Sequence, residues 1–271
     1  RLGFSWFDNA NTYSLFNWVF QTAGSNGIAF FSSVAFIFTI YLFKKYKSKK
    51  YLVYNLVFIT TILATGSRKG FFIFAAGYFL SIIILNKKSK KVIYGFLSVL
   101  VAYAAYYTTQ TVSFLYDVIG SRLNELLGLI LFGIETSDAS INTRLRLIDI
   151  AIELFKENPV WGYGLDAFRI IGPWGIVTDN NYLDILVSSG SIGFLIYYSF
   201  VVLVIWDYFT LKNKPDLVKI LFSVFLLILI MEYGSVTYFE RNVGIVYLLV
   251  FSIFKIERKK LKLFNRNRIL E

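Results

Sequence analysis

Residues 182–206 read YLDILVSSGSIGFLIYYSFVVLVIW, and after Asp184 the stretch holds no charged side chain. About 20 predominantly apolar residues are what an α-helix needs to cross the hydrocarbon of a bilayer. Further apolar runs lie on either side, at 27–43, 51–65, 70–85, 92–107, 217–231 and 243–254. Basic clusters separate several of them, so the chain is expected to be all-α, a polytopic transmembrane helix bundle of about seven helices. The expected organisation is a single membrane domain over 1–271. Composition agrees: residues AVILMFWYC make up 56% and mean hydropathy is +0.60, against roughly 45–50% apolar in a soluble domain. The runs at 51–65, 70–85 and 243–254 are short, and bridge a bilayer only with flanking Tyr, Ser and Lys or with burial by neighbours.

Charge gives an independent reading of topology. The chain carries 28 Lys and Arg against 17 Asp and Glu, a net +11. Most of the basic residues fall in alternate connections: 44–50, 87–91, 212–219 and the tail from Lys255 to Arg268. Cytoplasmic loops are Lys/Arg-rich, so Arg1 is expected outside and the tail inside. Dispersal into inside loops also argues against a nucleic-acid partner. The tail's charge serves topology, with membrane lipids as its neighbours. The chain opens on Arg1 and its one methionine is Met231, so it is expected to be a piece of something longer.

With no cysteine and no histidine, thiolate nucleophiles, Ser-His-Asp relays and His/Cys metal sites are excluded. Chemistry must run on Arg, Lys, Asp, Glu, Tyr or backbone groups. The connection 108–181 is far longer than a link and is the place to seek function. It is expected to form one large, partly helical extracytoplasmic loop. Its part 112–132 is apolar with Asp117, Arg122 and Glu125 interspersed, which suits an interfacial helix. Next, after cap candidates Asn142 and Thr143, the run 144–157 keeps helical period and stops at Asn158-Pro159.

At about 100° per residue, Ile148, Ala151, Ile152 and Phe155 share one face of that helix, with Arg146, Asp149 and Glu153 opposite. Arg144 projects from the apolar face, where a cation is costly unless an anion meets it; the structural alternative is that it snorkels to water. Asp179 or a neighbouring Asn caps the following membrane helix, or Asp179 accepts a proton at its outer mouth. Within that helix Ser189 and Gly193 form a small-xxx-small pair expected to admit another helix. In the turn Gly66-Ser67-Arg68-Lys69-Gly70, Arg68 either anchors a hairpin or offers its donor fork to a phosphate.

The order of features resembles the O-antigen polymerase and ligase family of bacterial envelope polysaccharide assembly. The resemblance rests on Arg1-Leu2-Gly3 with Asp8-Asn9-Ala10-Asn11, the turn Thr65-Gly66-Ser67-Arg68-Lys69-Gly70 and the Arg144 helix. It continues through Asn158-Pro159-Val160-Trp161-Gly162-Tyr163-Gly164 and Asp179-Asn180-Asn181-Tyr182-Leu183 to Gly190 and Gly193. It implies glycosyl transfer on the outer face of a bacterial cytoplasmic membrane, from a sugar chain on undecaprenyl diphosphate, without nucleotide sugar, cofactor or essential metal, and with further membrane helices upstream. Ligases of the family carry a His-Asn pair where this chain has Asp179-Asn180, which favours a polymerase of O-antigen, capsular or exopolysaccharide. The alternatives are a ligase acting on a final acceptor and a transporter of envelope precursors. Arg68 and Arg144 are expected to hold the leaving diphosphate, and Asp179 to act as base. Arg122, Arg146, Asn180, Tyr182, Gly162, Gly164, Glu240, Arg241 and Asn11 are further candidates for substrate binding. A chain-length regulator is a conceivable partner.

Overall fold

The computed structural model describes residues 15–270, apart from 66, 86–87, 114–115, 117–119, 122–123, 125–127, 129–138 and 212–213. Every regular element among them is helical: α1 (Leu15–Tyr46), α2 (Lys50–Ala64), α3 (Arg68–Leu85), α4 (Lys88–Thr111), α5 (Ala139–Glu157), α6 (Ala167–Ile171), a 3₁₀ turn Pro173–Gly175, α7 (Asn181–Thr210), α8 (Asp216–Glu232) and α9 (Arg241–Leu270). Each of the seven apolar runs falls within a helix, save that 51–65 runs one residue past the end of α2. Among the described residues two helices are long and apolar enough to cross a membrane, Asn26–Tyr46 within α1 and Asn181–Thr210, while Lys50–Ile62 and Lys69–Leu85 are shorter apolar helices. The chain divides into two compact units, Arg1–Ile84 and Leu85–Glu271.

In the first unit small residues allow close helix crossing. A Cβ on Gly70 would lie 2.2 Å from the Ala29 Cβ, so α1 and α3 meet where neither has a bulky side chain. Ser67 caps α3, its hydroxyl accepting the Gly70 amide at 2.8 Å. Phe36 packs edge-on against Phe74 at 4.8 Å, and Thr39 on α1 donates to Asn55 on α2.

In the second unit α8 is the central helix. Val218, Ile220, Leu221, Val224, Phe225, Leu227 and Ile228 are all buried, and Tyr208 of α7 stacks on Phe222 at 3.6 Å. Outward faces are apolar as well, including Val92, Ile93, Phe96 and Val99 on α4 and Leu195, Val202 and Trp206 on α7. Such a surface is foreign to a protein surrounded by water.

Helix α5 begins at Ala139, earlier than its cap candidates Asn142 and Thr143, and ends at Glu157 before Asn158-Pro159. Its buried stripe runs through Leu147, Ala151 and Leu154 rather than through Ile148 and Ile152. These residues pack with Phe155 on Phe168, Leu183 and Val187, docking α5 against α6 and α7. Full burial of side chains such as Leu147 and Phe168 stabilises this contact by about 1.5–3 kcal/mol each. Arg144 is correspondingly displaced from the centre of the buried face to its margin, where its side chain is 47% exposed. The segment 112–132 lies largely outside the described residues.

Candidate functional site

Helix α7 is broken at Gly190, where φ is 62° and ψ is −168°. A break inside a membrane helix strands backbone donors and acceptors that no water can satisfy, so the freed groups must find partners in the protein. Here the strap 158–164 supplies them. Tyr163 and Gly164 donate their amides to the carbonyls of Val187 and Ser188 at 2.9 and 2.8 Å, and Ser191 and Ile192 donate to Pro159 and Val160 at 2.8 and 3.3 Å. The Ser191 hydroxyl adds a bond to the Pro159 carbonyl at 2.7 Å.

Two glycines make this joint possible. A Cβ on Gly190 would lie 2.2 Å from the Val160 carbonyl oxygen, and one on Gly162 would lie 2.6 Å from the Gly190 nitrogen. Asn158 shapes the strap by donating its side-chain amide to the Gly162 carbonyl at 2.7 Å. Gly164, the other strap glycine singled out in the sequence, has φ +107° but open space around it. Ser189 and Gly193, expected to receive another helix, instead flank the break. A Cβ on Gly193 would meet the Ser189 side chain at 2.2 Å, and both residues line an open groove.

The strap fixes α5 against the N-terminal end of α7, and this brings Arg144 to Asp179. The Arg144 Nε donates to Asp179 Oδ2 at 3.2 Å, with the two side chains 47% and 40% exposed. Asp179 has φ 56°, a left-handed conformation that aspartate tolerates better than most residues. Arg146 lies over the Trp174 ring at 5.4 Å. Asn180 rather than Asp179 caps α7, its Oδ1 accepting the Leu183 amide at 3.1 Å.

Behind this exposed pair lies a buried polar network that sequence reasoning missed in part. Asp184 Oδ2 accepts the Thr178 amide and hydroxyl at 3.3 and 3.2 Å, and Oδ1 accepts the Tyr238 hydroxyl at 3.0 Å. Burial, joined by the charge of Asp184, pushes the Tyr238 hydroxyl above the usual tyrosine range. Asn181 Oδ1 accepts the amides of Thr237 and Tyr238, and its Nδ2 donates to the Tyr198 hydroxyl. Glu232, fully buried, accepts from Tyr198 at 3.0 Å, Tyr247 at 2.8 Å and Thr237 at 2.9 Å. The apolar run 217–231 stops one residue short of Glu232, and only the extent of α8 reveals that the acid is inside.

Other sequence candidates are placed as follows. Tyr182 stacks on Tyr198 at 5.2 Å and donates to the Leu229 carbonyl at 2.7 Å, a strut from α7 to α8. Glu240 and Arg241 are exposed at the start of α9. Arg68 opens α3 in the first unit. Asn11 and Arg122 lie outside the described residues. Among the described residues no group of His, Cys, Asp and Glu has the makings of a metal site.

No curated protein and no solved structure matches the chain. Residues 53–198, more than half of its length, match the O-antigen ligase family. That stretch contains the α2–α3 turn, α5, the strap and the broken N-terminal end of α7, so the chain belongs to the O-antigen ligase family and its work is the processing of polysaccharide at a membrane.

Proposed function

We propose that the protein is a glycosyltransferase that polymerises undecaprenyl-diphosphate-linked repeat units on the outer face of the cytoplasmic membrane. The observation that carries this reading is the Arg144–Asp179 pair, held half-exposed by a strap bonded into a broken helix. An acceptor hydroxyl attacks the anomeric carbon, the new C–O bond forming as the bond to the lipid diphosphate breaks. Asp179 takes the hydroxyl proton. Among the described residues Asp179 engages only the Arg144 Nε, so the terminal amino groups of the guanidinium remain for the departing diphosphate. Arg68 is proposed as a further cation for that anion on the sequence reading alone, as are Arg122 and Arg146.

The apolar outward faces of α2, α3, α4 and α9 support a seven-crossing topology, with the basic connections inside. A transport role finds less support, because Asp184 and Glu232 are held by hydroxyl and amide donors rather than left facing a path. Replacement of the ligase histidine by Asp179 favours polymerisation, whereas the family's own description favours transfer to a final acceptor. Reconstitution with the lipid-linked repeat unit as sole substrate separates the two readings. A polymer ladder that disappears in Arg144→Ala is expected. Product formed only after a final acceptor is added makes the protein a ligase, and no product in either case overturns the glycosyltransferase reading.

A further inference from the structure

The segment 161–176, WGYGLDAFRIIGPWGI, carries an apolar surface that glycosyl transfer does not explain. Its inward residues Ala167 and Phe168 are buried against α5 and α7, and these account for its packing. Its outward residues are larger and mostly apolar: Leu165 is 77% exposed and Ile170 78%, with Trp161, Ile171, Trp174 and Ile176 exposed as well, and the one charged group among them, Arg169, is paired with Asp166 at 3.3 Å. Water disfavours a contiguous surface of this kind. Aliphatic side chains bracketed by tryptophans match the depth sorting of a bilayer interface, where indoles sit at the headgroup level.

The patch is also continuous with a surface that already faces lipid. An open groove of about 250 Å³ joins Leu165 to Ile196, Tyr197 and Tyr238, and Ile192, Leu195 and Ile196 are the exposed apolar face of membrane helix α7. At its far end Arg146 sits over Trp174, a cation placed where lipid phosphates lie. We infer that 161–176 is an interfacial anchor, seated in the leaflet at the N-terminal end of α7, with lipid as the occupant of its outward face. The anchor sets the depth of Arg144 and Asp179 at the headgroup level. It rests on α7 crossing the membrane and not on the reaction proposed above.

The absence of native cysteine makes the test direct. Single variants Leu165→Cys, Ile170→Cys and, on the exposed polar face of α5, Lys156→Cys are spin-labelled in the full chain. They are then reconstituted in phosphatidylethanolamine and phosphatidylglycerol vesicles. Oxygen, which partitions into lipid, is expected to relax the labels at 165 and 170 several-fold more than a water-soluble nickel chelate, with the reverse at 156. Nickel access at 165 and 170 equal to that at 156 means the patch faces water or a saccharide path, and overturns the inference. Exclusion of both relaxants means that protein covers it, with the same result. None of these readings depends on glycosyl transfer, so failure here is distinct from failure of the proposed activity.

Discussion

The two ends of α7 both bury a carboxylate, and they satisfy it in opposite ways. At the C-terminal end Asp207, 1% exposed, is met by two cations from α9: Lys255 at 2.8 Å and Arg258. At the N-terminal end Asp184 is met by the Thr178 amide and hydroxyl and the Tyr238 hydroxyl, all uncharged. Glu232 in the adjoining network follows the same rule, with three hydroxyl donors. The C-terminal arrangement ties α7 to α9 with charge. The N-terminal one builds rigidity from neutral donors, so Arg144 is not consumed in holding the scaffold and stays half-exposed where an anion can reach it. Charge is structural at one end and available at the other.

Five substitutions probe this division. The largest effect is expected from Arg144→Ala, with a loss of about a hundredfold in transfer rate, or about 3 kcal/mol in the barrier. Thermal unfolding in detergent should barely move, since exposed ion pairs contribute about 0–1 kcal/mol; a large stability loss would put Arg144 among the structural charges. Next comes Gly190→Ala, which forces a side chain against the Val160 carbonyl at a backbone conformation that costs a non-glycine residue about 1–3 kcal/mol. A lower unfolding temperature should accompany loss of activity, whereas Gly164→Ala, with open space around it, should do less.

Glu232→Gln keeps one oxygen acceptor but turns an amide toward the hydroxyls, and is expected to lower stability by about 1–2 kcal/mol. Activity per folded molecule should persist, which a kcat measurement on the folded fraction checks. The smallest effect belongs to Asp207→Asn. Lys255 and Arg258 are each more than a third exposed and return to water, so about 1 kcal/mol or less of stability is at stake. Transfer should be unchanged; a drop in rate would show that the clamp at the C-terminal end of α7 reaches the site.

Helical segments were legible in the sequence because apolar runs and lysine clusters are local signals, and each run lies inside a helix, Thr65 apart. The stop of α5 at Asn158-Pro159 was legible for the same reason. Its buried face was not, because Leu147 and Leu154 compete with Ile148 and Ile152 on composition alone, and only docking on Val187 and Phe168 decides. The break at Gly190 was hidden too, since a glycine in an apolar helix signals close packing as readily as a kink. The polar run Ser188-Ser189-Gly190-Ser191 was the local hint. The pairing of Arg144 with Asp179 spans 35 residues, a separation that no period or spacing rule bridges.

The strap also imposes an order on biogenesis. Residues 158–164 are synthesised before α7, and α7 cannot complete its backbone bonding at 187–192 without them. The strap is therefore the template on which the N-terminal part of α7 closes. Until it is docked, that part carries four unpaired backbone groups, each costing several kcal/mol in an apolar medium, so the loop must be in place before the helix is complete.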